Sequence, residues 1–106
     1  MKTVYISIGN SDDKLGQAQW VNYIVDMNTA IFHWQTKRHG YWHSPFSSQW
    51  QNACWCVEIS ERDEPALVLK LREIAGRFGQ DSIAWAEVKD TKFLGPLDKE
   101  AGHETV

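Results

Sequence analysis

No apolar run in this chain of 106 residues approaches the ~20 residues that a membrane-spanning helix requires, so no membrane partner is expected. Cysteine is scarce: Cys54 and Cys56 are the only two. Two apart on one strand, their Cβ vectors run side by side, a geometry in which disulfide torsions are hard to meet. Both are expected as free, mostly buried thiols, and a single domain of this length buries a core without disulfide or metal. Metal-ligand spacing is also lacking. Cys-Trp-Cys is not C-x₂-C, its sulfurs project about 6–7 Å apart by strand rise, and His39 and His43 stand about 13 Å apart on the same measure.

The signatures of catalysis are missing too. There is no Gly-rich phosphate loop, no G-x-S-x-G elbow and no H-E-x-x-H helix, and no spacing of Ser, His and Asp stands out as a triad. No catalytic residue, metal site or cofactor is assigned. Fixed cations are few: 11 Lys and Arg stand against 14 Asp and Glu, the net charge is -3, and the pI is ≈ 5.7. That balance argues against a nucleic-acid partner, whose backbone needs several cations in a row. Met1-Lys2 leads into a strand-like run rather than a signal segment, so a cytoplasmic protein is expected.

What is present is a pleated pattern. In residues 51–59, Ala53, Trp55, Val57 and Ile59 alternate with Cys54, Cys56 and Glu58. Successive strand residues face opposite sides, so the first set suits a helix-covered face and the second an open one. Residues 3–9 alternate likewise, Val4, Ile6 and Ile8 against Tyr5 and Ser7. A polar turn, residues 10–14, leads to a helix with Gly16 at the N-cap, Gln19 completing a capping box and Leu15 stapling onto Trp20. Its expected core stripe is Trp20, Val21, Ile24, Val25, Met27, Ile31 and Phe32. It should end near Trp34, before a turn over residues 36–40.

A second strand is expected over residues 39–43, joined by a linker over residues 44–50 to the strand over residues 51–59. Asp63 and Pro65 open a second helix, buried through Leu67, Leu71, Ile74, Ala75 and Phe78 and closed by Gly79 in the left-handed conformation. A fourth strand follows over residues 82–88, with a possible short fifth edge strand over residues 91–94. The domain is expected to span residues 1–97, and residues 98–106 to form a flexible acidic tail. Strand, helix, strand, strand, helix, strand is most naturally an α+β sandwich, the ferredoxin-like βαββαβ fold, with first and third strands central and parallel and both helices on one face.

One window, residues 27–57, holds no Asp or Glu. In it Lys37 and Arg38 stand among His39, Tyr41, Trp42, His43 and Trp50. Cations interleaved with flat rings suit a planar, negatively charged ligand. These seven residues are the candidate site of a non-enzymatic, small-ligand-binding module for an anionic or nucleotide-like molecule. A secondary polar cluster is expected where Asn10, Asp12 and Asp13 meet Gln80 and Asp81 across one sheet edge, able to turn the chain or to do carboxylate chemistry. The alternative is a protein-interaction or inhibitor module whose exposed tryptophans are the anchors, and a small enzyme of unknown reaction stands third. Tyr5, Cys54 and Cys56 on the open face imply a homodimer or higher homo-oligomer.

Overall fold

A computed structural model of the chain describes residues 1–97. The elements are β1 (Lys2–Gly9), a 3₁₀ turn (Ser11–Asp13), α1 (Gln17–Trp34), β2 (Gln35–His43), β3 (Asn52–Ile59), α2 (Glu64–Arg77) and β4 (Ala84–Glu87). The molecule is α+β, with two helices on a four-stranded antiparallel sheet of order β2-β3-β1-β4. β1 and β3 are central, but they run antiparallel, with Lys2 opposite Ile59 and Gly9 opposite Asn52, not parallel as expected. The reason is topological. A helical crossover makes β1 parallel to β2 and β3 parallel to β4, and the strand inserted between each pair must run the other way.

The core is the helix-covered face. Val4, Ile6 and Ile8 of β1 and Ala53, Trp55, Val57 and Ile59 of β3 are buried there against Trp20, Tyr23, Met27 and Ile31 of α1 and Leu67, Leu71 and Ile74 of α2. The buried stripe of α1 is not the expected one. Val21, Val25 and Phe32 are exposed, while Tyr23 and Ala30 are inside. At about 100° per residue, Trp20, Tyr23, Met27 and Ala30 form one stripe, and Val21, Val25 and Phe32 form another about 160° round the helix from it. Apolar residues occupy both, and contact with α2 and the sheet selects the first.

α2 ends as its sequence implies. Gly79 takes φ +65°, its N–H bonds Gly76 O at 3.1 Å and the Gln80 N–H bonds Ala75 O at 2.9 Å, the paired bonds of a Schellman motif. At its start Asp63 is the N-cap without a side-chain capping bond. The expected turn over residues 36–40 is absent: β2 begins at Gln35, directly after α1, whose last turn the Gln35 N–H closes onto Ile31 O. Irregular register between Gln35 and Lys37 and between Arg38 and Gly40 absorbs the extra residues, which an edge strand tolerates. β4 is shorter than expected, residues 91–94 form no strand, and the chain from residue 88 to 97 carries no regular structure. The expected tail over residues 98–106 lies outside the described residues. Among the described residues no helix is long and apolar enough to cross a membrane.

Candidate functional site

Antiparallel pairing brings three loops to one end of the sheet: that after β1, that between β2 and β3, and that between α2 and β4. The buried polar residues among those described are three amides, Asn10, Gln51 and Gln80, one from each loop. Asn10 donates from Nδ2 to Leu15 O at 2.8 Å and accepts the Leu15 N–H at 2.8 Å, closing the first loop. Its own N–H bonds Gln51 O at 2.9 Å. Gln51 Nε2 donates to Phe46 O at 2.9 Å and to Gln17 Oε1 at 3.2 Å, tying the second loop to α1. Gln80 Oε1 accepts the Ser11 N–H at 3.0 Å, tying the third to the first. Buried polar groups persist only when paired, and this network fixes the loop end as a unit.

Strain gathers at the same end. The positive-φ residues other than glycine among those described are Asp12 (51°), Asp13 (56°) and Trp50 (58°). Aspartate visits the left-handed region readily. Tryptophan gains nothing locally there, and such strain costs of order 1–3 kcal/mol unless the surroundings impose it. Trp50 directly precedes the anchored Gln51, and its indole is 59% exposed. The ring stands at an open cleft of ≈ 460 Å³ that also includes Ser11, Asp12, Asn52, Asp81 and Ser82. The expected secondary cluster is thus assembled: Asn10, Asp12 and Asp81 line the cleft, Asp13 bonds Asn10 Nδ2 at 3.4 Å, and Gln80 stands behind them.

The aromatic and basic residues of β2 do not converge in this way. Arg38 lies opposite Val57, Tyr41 opposite Trp55 and His43 opposite Ala53, all on the helix side of the sheet. Arg38 donates from Nη1 to Asn28 Oδ1 at 2.7 Å and from Nε to Gln35 Oε1 at 2.9 Å, which pins β2 to α1. The same Asn28 oxygen accepts Trp55 Nε1–H at 3.1 Å. Burial lowers the Arg38 pKa from its ordinary value and raises that of Tyr41, the latter partly offset by the Arg38 charge. Tyr41 packs on Trp55 with ring centres 5.1 Å apart, and His43 stacks on Phe46 at 4.8 Å.

Lys37 and Trp42 lie instead opposite Glu58 and Cys54, on the open face, where His39 Nε2 meets Glu58 Oε2 at 2.9 Å. Trp42 is 55% exposed, and its indole lies across Gly40 so closely that an added Cβ there would stand 2.6 Å from the ring. Cys54 is half-buried and Cys56 buried, both as free thiols. The seven residues of the segment therefore divide among the helix side of β2, the open face and the loop end, where Trp50 alone joins the polar cluster. Among the described residues no group of three or more His, Cys, Asp or Glu is placed to hold a metal ion.

The sequence reading missed Asn28 and Gln51. Asn28 falls within an apolar helix without a pattern of its own, and Gln51 reads as an ordinary first strand residue. Only pairing shows their work. No protein-family model matches this chain, and no curated protein matches it.

Proposed function

We propose that the chain is a non-enzymatic, small-ligand-binding module of ferredoxin-like architecture, taking a flat, nucleotide-like ring against Trp50 in the loop-end cleft. The strand order with a helix between β1 and β2 and another between β3 and β4 supports the fold. The observation that carries the function is Trp50, an exposed indole held at φ 58° beside the cleft. An exposed ring in an imposed backbone conformation is pre-organised, so stacking a ligand on it costs little further ordering. Among the described residues Asp12 and Asp81 bring carboxylates to the cleft and no Lys or Arg lines it. The ring of such a ligand therefore enters with its hydrogen-bond donors toward the carboxylates, and any anionic group points outward.

Calorimetric titration of the chain with nucleosides and their monophosphates tests this. Binding of at least one nucleoside, no tighter as the monophosphate, is expected. Trp50→Ala should weaken it roughly 5- to 150-fold, as the loss of about 1–3 kcal/mol of stacking implies, with melting temperature maintained. No heat from any nucleoside with folded protein rejects the reading.

A specific observation favours a second reading, the interaction module. Trp42 lies flat on the sheet face that no helix covers, beside Tyr5 and Cys54, and suits pairing with a second copy.

A further inference from the structure

β4 is an edge strand. It pairs with β1 on one side, and among the described residues its other side faces no strand. An edge of this kind is a template for another extended segment. Beside it, against α2, runs a groove of ≈ 430 Å³ with an apolar lining of Val68, Leu71, Ala75, Ile83 and Trp85. One cation, Arg72, and one anion, Asp81, stand on its walls.

The chain that leaves β4 has complementary chemistry. Phe93, Leu94 and Leu97 are 92%, 91% and 79% exposed. Three large apolar side chains thus stand bare to water within five residues, a density that marks interaction surfaces more often than scattered surface hydrophobes do.

This arm does not turn back toward its own groove. The Val88 N–H still bonds Thr3 O at 2.9 Å, so the chain follows β1 to that point. To return along β4 it would have to reverse at Lys89 and Asp90, and the two-residue turns that do so need a positive φ at the first position. No residue from 88 to 97 takes one.

We propose that residues 91–97 form an arm that adds as a strand to the β4 edge of a second copy of this chain. Strand addition gives main-chain hydrogen bonds, while alternate side chains take opposite faces. Phe93 enters the groove over Ile83 and Trp85, and Leu94 lies on the other side of the pleat beside Ala84 and Ala86. Two copies exchange arms reciprocally, which closes the assembly with two-fold symmetry.

Sedimentation of the full chain, with Phe93→Asp on the arm and Val68→Glu in the groove, tests the exchange. The unaltered chain should dimerise, and each variant should raise the dimer dissociation constant by about tenfold or more, as loss of a buried anchor does. At a concentration where the unaltered chain is monomeric, both variants should melt as it does. Mixed together they should form a heterodimer, because one supplies an intact arm and the other an intact groove. Hydrogen exchange at residues 91–97 should show protection that is lost on dilution. A monomeric unaltered chain, association undiminished by Phe93→Asp, or arm protection independent of concentration would each overturn the proposal, the last by placing the arm in its own groove. Nucleoside binding to Trp50 is measured separately, so either idea can fail without the other.

Discussion

Tyr23 carries the clearest consequence of placing one side chain. It is fully buried, its ring stacked on Phe78 at 5.0 Å and edge-on to Trp20 at 6.0 Å, and among the described residues its hydroxyl has no hydrogen-bond partner. Burial disfavours the phenolate, and the Tyr23 pKa is pushed up to about 12 from its ordinary value of 10.0. The unfolded chain therefore ionises this group first. Its contribution to stability is complete below pH 10.0 and is lost as pH rises through about 12. Tyr23→Phe removes an unpaired polar group while keeping the ring, so at neutral pH it should be neutral or stabilising. Above pH 10.0 the variant should fall less in stability than the parent, and urea unfolding at a series of pH values reads the difference. The sequence shows Tyr23 between Trp20 and Met27 but does not choose it over Val21 or Val25, because α1 bears apolar residues on two nearly opposite stripes.

Among the elements, the end of α2 was the most legible because its signal is local. A glycine after the last apolar turn residue satisfies the Schellman bonds at no steric cost. Nothing lies within 4 Å of a Cβ built on Gly79, so substitution there changes the backbone alone. Gly79→Ala should cost about 1 kcal/mol, the penalty of a left-handed L-residue, which lowers the melting temperature of a domain of this size by roughly 4–8 °C. A melting curve unchanged by the substitution would show that the motif does not hold the helix end. β2 was the least legible element. Thr36, Lys37 and Arg38 read as a turn, yet they continue the strand because β3 offers a full-length edge and Thr36 Oγ1 donates to Glu58 O at 3.1 Å.

For the whole molecule, the question is which surfaces are left for partners. Tyr5 and Trp42 are exposed on the open face above the half-buried Cys54 and the buried Cys56. If two copies pair through it, Cys54→Arg places a charge at its centre and should convert dimer to monomer in sedimentation velocity while leaving the fold intact by circular dichroism. A Cys54→Arg protein that associates as before assigns the contact elsewhere. Loss of association on Phe93→Asp with none on Cys54→Arg would then point to the arm.

The sequence by itself determined the order of the two helices and four strands, the buried side of β1 and β3, the helix end at Gly79 and the meeting of the Asn10 and Asp81 loops. Each rests on a period of two, a local cap or the order of the chain, interactions that act over a few residues or follow from connectivity. Tertiary structure decided the buried stripe of α1, the full length of β2 and the division of the aromatic segment. A run of rings and cations tells nothing of its direction, since in a strand each residue faces opposite to the last. The two irregularities in β2 shift that alternation again, so Arg38, Tyr41 and His43 went to the helix side, and Lys37 and Trp42 to the open face. Trp50 reached the cleft because the buried amides, which no periodicity reveals, close the loops around it.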